Sequence, residues 1–109
     1  MFSVFLFFIK AITKYAEKNV CEGARNEIGY LASPQECASK CSKETTMFSF
    51  GTTEFGKHKC SGTNCCQNHD CICFCEKDAS SDGKCDLIST ADTNGYLLYR
   101  IVEDKSSGN

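Results

Sequence analysis

The residues with the most evident chemistry are the ten cysteines, which all lie between Cys21 and Cys85 in a chain of 109 residues. Sulfur at this density supports either disulfide bonds or a thiolate metal centre. In a short chain it is typical of a secreted domain whose core is too small to hold the fold alone. We therefore predict up to five disulfides among Cys21, Cys37, Cys41, Cys60, Cys65, Cys66, Cys71, Cys73, Cys75 and Cys85.

A metal centre is the alternative chemistry for these sulfurs. The run from Cys71 to Cys75 supplies alternating thiols, and His58 and His69 lie near it. Zinc sites usually take ligands from closely spaced pairs, and the sequence contains no Cys-x2-Cys; Cys37 and Cys41 are the one regular pair. Because the sulfurs of a secreted chain are oxidised, we predict neither a metal nor another cofactor.

The hexapeptide Cys65-Cys66-Gln67-Asn68-His69-Asp70 is similar to the active-site helix of secreted phospholipases A2. That resemblance implies that His69 activates water while Asp70 holds a calcium ion. The match ends at Cys71, which follows without the family's spacer and starts an alternating, strand-like run. No glycine-rich calcium loop precedes the motif. We predict a polar loop with a solvated His69, and the phospholipase remains an alternative.

Two shorter motifs have simpler explanations than ligand binding. Lys57-His58-Lys59 is a basic spot that could contact an anion, but in a net acidic chain we predict a solvated loop. The segment Asp92-Thr93-Asn94-Gly95 suggests calcium, yet Ile101 stands where a bidentate glutamate would bind. We predict a hairpin turn there. The sequence also contains no nucleophile elbow, so we predict that the protein is not an enzyme and has no catalytic residues.

Charge and length limit the partners and the number of domains. The chain has room for one domain. Its formal charge is −2, and removal of a leader ending near Asn19 leaves 9 basic and 13 acidic residues, or −4. This acidic balance argues against nucleic acid or heparin as a partner.

The N-terminal segment has the composition of a signal peptide. Residues 1–9 contain four of the eight phenylalanines, and this apolar run is too short to span a bilayer. We predict a leader over residues 1–20, a domain over 21–102 and a polar tail over 103–109. The alternative for the leader is an amphipathic helix with an apolar face of Phe5, Phe8, Ile9, Ile12 and Ala16.

The elements that must position the cysteines can be predicted from local patterns. Ser33, Pro34 and Glu36 form a helix-start signal, which predicts a helix over 34–43 with Cys37 and Cys41 on one face. Alternation and β-forming residues predict strands over 26–31, 45–53 and 71–75, the second ending at Gly51, and a closing strand over 96–102. Residues 56–68 are predicted to form a polar loop. Asp82-Gly83 predicts a turn.

Taken together, the order of these features resembles the apple/PAN domain family. The matching features are Cys21, the helix with Cys37 and Cys41, Phe48-Ser49-Phe50, Cys60, the run Cys71–Cys75, Cys85 and Gly95-Tyr96-Leu97-Leu98-Tyr99-Arg100. The resemblance implies an α+β fold in which one helix packs on an antiparallel sheet. It also implies that Cys21 pairs with Cys85 and that the helix cysteines are tied to the sheet. Thr45 stands where the family often has a cysteine, so the partners of Cys37 and Cys41 stay open.

The family resemblance also implies a function. Its members are secreted modules that bind extracellular proteins or carbohydrates, so we expect a non-catalytic binding module outside the cell. The expected partner is an extracellular protein or carbohydrate, with no nucleic acid and no stable membrane span.

Adjacent Cys65 and Cys66 are expected not to bond to each other, since a vicinal bridge strains the peptide.

Overall fold

The fold is an α+β arrangement, described by a computed structural model over residues 10–103. The strands are β1 (Lys10–Glu17), β2 (Val20–Cys21), β3 (Arg25–Leu31), β4 (Met47–Gly51), β5 (Lys59–Cys60), β6 (Thr63–Asn64), β7 (Cys66–Gln67), β8 (Asp70–Glu76), β9 (Leu87–Ile88) and β10 (Tyr96–Glu103). The described residues also contain one α-helix, α1 (Pro34–Cys41), and a one-turn 3-10 helix (Ala91–Thr93).

The main sheet is antiparallel, with the strand order β1-β10-β4-β8-β3. The hairpin strand β7 pairs with the start of β8, so six strands share this sheet. The predicted strands over 26–31, 71–75 and 96–102 are confirmed to within a residue or two, and the strand predicted over 45–53 is shorter, Met47–Gly51. The one-helix, antiparallel-sheet prediction is likewise confirmed.

The helix begins where the sequence predicts and ends two residues early. The Ser33 hydroxyl accepts a hydrogen bond from the Glu36 amide at 3.2 Å, and Pro34 occupies the first turn. The Glu36 carboxylate accepts from the amide of Ala32, one residue outside the expected capping box. The helix ends at Cys41, and the amide of Ser42 makes its last hydrogen bond, to the carbonyl oxygen of Ala38.

The two faces of the sheet bury different cores. On one face α1 covers Phe48, Phe50, Cys73 and Cys75, in line with the alternation of β4 and β8. On the other face lie Val20, Cys60, Cys65, Ile72, Phe74 and Tyr96. This second core is covered by loops and short strands instead of a helix. The aromatic side chains of Phe48, Phe50, Phe74 and Tyr96 are therefore divided between the two cores.

The strand β1 departs from the sequence-based expectation. Residues 10–17, assigned to a leader or its amphipathic-helix alternative, form a strand that pairs with β10 from Glu17–Leu97 to Lys10–Glu103. Ile12 packs against the helix-side core, and Val20 is buried. The helix alternative is wrong for these residues, and the predicted boundary at residue 20 falls inside the folded part. Residues 1–9 and 104–109, which hold the rest of the predicted leader and tail, lie outside the described range.

Candidate functional site

The segment between β4 and β8, residues 52–69, is held in shape by its own disulfides and is called the stapled loop below. Cys60 bonds to Cys65, and Cys66 bonds to Cys71 at the start of β8. The two cysteines of each pair lie five positions apart in the sequence, whereas the other three bridges join cysteines 64, 36 and 34 positions apart. A bridge between near neighbours restricts the unfolded chain less than a long-range bridge does. These two bridges therefore act mainly on the local shape of the loop.

Two glycines allow the stapled loop to lie directly against the sheet. A Cβ on Gly51 would lie 2.4 Å from the carbonyl oxygen of Cys65. A Cβ on Gly95 would lie 2.2 Å from the Cys65 sulfur and 3.0 Å from the Cβ of His58. Any larger residue at either position would push the loop away. The absence of side chains at these two sites thus seats the loop on the sheet.

A cleft of about 370 Å³ opens in the stapled loop. It is lined by Thr53, Lys57, His58, Asn64, Cys65 and Cys66. Cys65 is buried and Cys66 is half-buried, so the disulfides form part of the wall. The other lining side chains bring hydroxyl, ammonium, imidazole and amide groups to the cleft.

The orientation of His58 is set by the loop itself. Its Nε2 lies 3.0 Å from the carbonyl oxygen of Phe55. Because a carbonyl oxygen only accepts, Nε2 carries a proton, and a neutral ring then keeps Nδ1 as an acceptor. The Lys18 ammonium lies 4.9 Å from the centre of the Phe55 ring and adds a further positive charge beside the loop.

A buried polar network ties the stapled loop to the core. The Arg25 guanidinium donates to the Glu76 carboxylate at 3.1–3.2 Å and to the hydroxyls of Ser49 and Ser61 at 2.8 and 3.1 Å. Ser61 in turn lies 2.9 Å from the hydroxyl of Tyr96. The guanidinium also stacks 4.1 Å from the centre of the Phe74 ring. No buried side-chain nitrogen or oxygen of the described residues lacks a hydrogen-bond partner, and the network holds Ser61, and with it the loop, against the sheet.

Burial changes the proton affinity of this network. Desolvation raises the pKa of the fully buried Glu76 carboxyl, and it outweighs the opposing effects of Arg25 and of hydrogen bonds from Ser49 and Arg25. Burial also raises the pKa of the Tyr96 phenol, against the hydrogen bond to Ser61 and the charge of Arg25. Ionisation of Glu76 in this network therefore carries a desolvation cost.

The disulfide predictions hold for all ten cysteines, every one of which lies within residues 10–103. Cys21 bonds to Cys85, as the family resemblance implies. The helix cysteines reach the sheet: Cys37 bonds to Cys73, and Cys41 bonds to Cys75. Cys65 and Cys66 take different partners, as expected. The structure leaves no free cysteine among the ten.

This pairing removes the thiols that the metal alternative needs. The sulfurs of Cys37, Cys41 and Cys73 all lie within 4.8 Å of one another, a spacing that would suit a metal ion. All three are disulfide-bonded, however, and a disulfide sulfur is not a thiolate ligand. The proximity reflects two adjacent bridges between α1 and β8.

The phospholipase-like motif lies in a hairpin rather than a helix. Cys66 and Gln67 pair with Cys71 and Asp70, and the two residues between them form the turn. Asn68 and His69 have φ angles of 50° and 74°, which is typical of a tight hairpin turn. His69 is exposed, as predicted, and the helix required by the alternative is absent at residues 66–71. Asp70 and Cys71 belong to β8, so the chain leaves this turn as a strand.

Most of the cleft could not be predicted from the sequence. The sequence predicts a solvated loop at Lys57-His58-Lys59, and the exposure of Lys57 and Lys59 agrees with this prediction. That Lys57 and the half-buried His58 also line a cleft was not predicted. The roles of Thr53 and Asn64 were not foreseen. The sequence feature that could have indicated this site is the spacing of Cys60 and Cys65 and of Cys66 and Cys71, since cysteines five positions apart can close a short loop. The Asp92–Gly95 segment was also misassigned, because Ala91–Thr93 forms a 3-10 turn capped by Thr90 and Thr93.

Comparison with protein-family models, curated proteins and solved structures finds no match to this chain. Among residues 10–103, no helix is long and apolar enough to cross a membrane. The class of molecule supported by fold and site is thus a small disulfide-rich α+β domain with a stapled loop on one side of its sheet.

Proposed function

We propose that the protein is a secreted, non-catalytic binding module and that the stapled loop carries its ligand site. The five disulfides support an oxidising, extracellular location. The order of cysteines, helix and aromatic strands supports an apple/PAN-like module, whose relatives bind extracellular proteins or carbohydrates.

The observation that carries the proposal is the pair of local bridges in the stapled loop. Cys21–Cys85, Cys37–Cys73 and Cys41–Cys75 already join the elements of the fold. Cys60–Cys65 and Cys66–Cys71 connect residues that are already close in the chain, so they hold a surface shape. A surface that is rigid before binding gives up less conformational entropy when a ligand binds. Such rigidity is expected of a recognition loop.

The buried network supports the same assignment. Arg25 bonds both to Glu76 in the core and to Ser61 in the stapled loop, and Tyr96 bonds to Ser61 from the sheet. The loop is therefore fastened from below as well as closed by its own bridges. Binding residues are commonly found on loops that a rigid scaffold positions in this way.

The proposal is tested on protein secreted from a eukaryotic host. Mass spectrometry without reduction is expected to find no free thiol and the five bridges described. The protein is then applied to arrays of extracellular proteins and glycans beside the double variant Cys66→Ala/Cys71→Ala. We expect a ligand for the wild type and at least a tenfold loss of affinity in the variant, because its loop is no longer rigid.

A control variant separates loop shape from general stability. Removing Cys66–Cys71 is expected to cost about 2 kcal/mol of unfolding free energy, against about 4 kcal/mol for Cys41→Ala/Cys75→Ala, because the closed segment is shorter. The proposal is overturned if the secreted chain carries free thiols, if neither array yields a ligand, or if the Cys66→Ala/Cys71→Ala variant binds as tightly as the wild type.

A further inference from the structure

We propose that the cleft of the stapled loop binds an acidic monosaccharide unit, whose carboxylate lies against Lys57 and whose hydroxyls meet Thr53, Asn64 and the acceptor Nδ1 of His58. This inference rests on the proposed function, since it names the ligand class of the same site. It is carried by the charge, size and lining of the cleft.

The charge around the cleft is opposite in sign to that of the whole protein. The chain has a net charge of −2, yet the stapled loop contains Lys57 and Lys59 against the single acid Glu54. Lys57 takes part in none of the ion pairs formed within residues 10–103. Its ammonium is thus available to an anion, and a local positive site on an acidic surface favours an anionic group at that point.

The size of the cleft and the lack of large apolar side chains in its lining favour one sugar unit over a protein surface. Its volume of about 370 Å³ is near the lower end of small-molecule clefts, about 300–1,000 Å³. Protein interfaces are usually centred on large apolar or aromatic anchors. Among the residues for which exposure is described, the large exposed hydrophobic side chains are Tyr15, Leu87 and Val102, and none of them lines the cleft.

The remaining lining groups match the chemistry of a sugar ring. The Thr53 hydroxyl and the Asn64 amide each donate and accept hydrogen bonds, as sugar hydroxyls require. Cys65 and Cys66 provide a less polar wall on which the C–H face of a ring can pack. Each is held by its own bridge, so the cleft keeps its width without the ligand.

Nuclear magnetic resonance of the ¹⁵N-labelled, disulfide-bonded chain tests the inference. Methyl glucuronide, methyl glucoside and acetate are titrated separately at pH 7. We expect the glucuronide to shift the amides of residues 53–66 and to bind at least tenfold more tightly than either of the others, because only it offers both the ring and the carboxylate.

A matched pair of variants tests the assigned cation. Lys57→Met keeps the length and apolar stem of the side chain and is expected to lower the glucuronide affinity about tenfold, by loss of a charge-assisted hydrogen bond. Lys59→Met removes the same charge two residues away, from an exposed side chain that does not line the cleft, and is expected to bind like the wild type.

The outcomes distinguish this inference from the function on which it rests. The acidic-sugar assignment is overturned if the glucoside or acetate binds as tightly as the glucuronide. It is also overturned if Lys57→Met and Lys59→Met lower the glucuronide affinity by the same factor. In each case the proposed binding module still stands. The same holds if no small probe binds while the array ligand is still lost on removal of Cys66–Cys71. If that bridge can be removed without effect on the array ligand, the proposed function itself fails.

Discussion

Arg25 and Glu76 are cross-strand neighbours at one end of the β3–β8 pairing, and their side chains form an ion pair of 3.1 Å beneath the stapled loop. Leu31 and Cys71 pair at the other end. The Glu76 side chain has no solvent exposure, and that of Arg25 has 18%. A buried carboxylate of this kind depends on its partner, because water cannot replace the lost interaction. The pair therefore links the stability of the sheet to the position of the loop.

Removal of the cation should be strongly destabilising. Arg25→Met leaves the Glu76 carboxylate buried without a counter-charge, and we expect the free energy of unfolding to fall by about 3–5 kcal/mol at pH 7. Urea unfolding followed by circular dichroism measures this. Lys77→Met, which breaks the exposed pair with Glu44, is the control and should change stability by less than about 1 kcal/mol. Similar small losses in both variants would show that the Arg25 pair is dispensable.

The network should also give stability a defined pH dependence. Because burial raises the pKa of Glu76 in the folded state, this state keeps the proton at pH values where the unfolded chain, with a pKa of about 4.3, has lost it. The contribution of Glu76 is thus greatest below the unfolded pKa and declines as pH rises through the folded one. We expect the stability of the wild type relative to Glu76→Gln to decrease between pH 3.5 and 7 in urea titrations. An increase with pH would mean that the Arg25 attraction outweighs desolvation.

The seat of the stapled loop can be tested at one glycine. Gly95→Ala introduces a Cβ that would lie 2.2 Å from the Cys65 sulfur, and we expect overpacking to cost about 1–3 kcal/mol and to shift the amide signals of the loop. Ser89→Ala, a substitution of an exposed residue in the same connection, should leave both unchanged. A Gly95→Ala protein with the wild-type unfolding midpoint would mean that the loop does not rest on this glycine.

Truncation tests whether β1 belongs to the stable fold. A chain that starts at Val20 lacks the strand that pairs with β10 and loses the packing of Ile12, so we expect it to be less stable than a chain starting at Lys10 by about 2 kcal/mol or more. Thermal and urea unfolding of the two chains gives the difference. Removal of residues 104–109, which belong to the polar tail predicted over 103–109, serves as the control and should have little effect. Equal stability of the two N-terminal truncations would support the leader boundary at residue 20.

Local signals in the sequence predicted the parts of the fold that are locally determined. The cap at Ser33 and the alternation of β8 each act within a few residues, and both elements form where expected. Strands β5, β6 and β7 have two residues each, too few for any periodicity to be visible. The apolar run before Lys10 resembled a leader, and this obscured the strand that follows it.

The site was harder to predict because its contacts are distant in the chain. Arg25 meets Glu76 across 51 residues, and Gly95 receives a loop that begins more than 40 residues earlier. A single sequence does not reveal such pairings. The spacing of Cys60 and Cys65 and of Cys66 and Cys71 was visible, but cysteine positions alone do not determine connectivity. What could be predicted was a sulfur-rich loop, and what could not was the cleft within it.

The closure of the stapled loop by bridges that do not involve α1 or the long-range pairs has a consequence for how such a domain can diversify. Cys60, Cys65 and Cys66 belong to the loop, and Cys71 borders it, whereas the six remaining cysteines hold the framework. Residues such as Lys57 and Asn64 can therefore change without altering any framework bond. Substitutions confined to these lining positions are therefore expected to change ligand specificity while the long-range bridges of the scaffold stay the same.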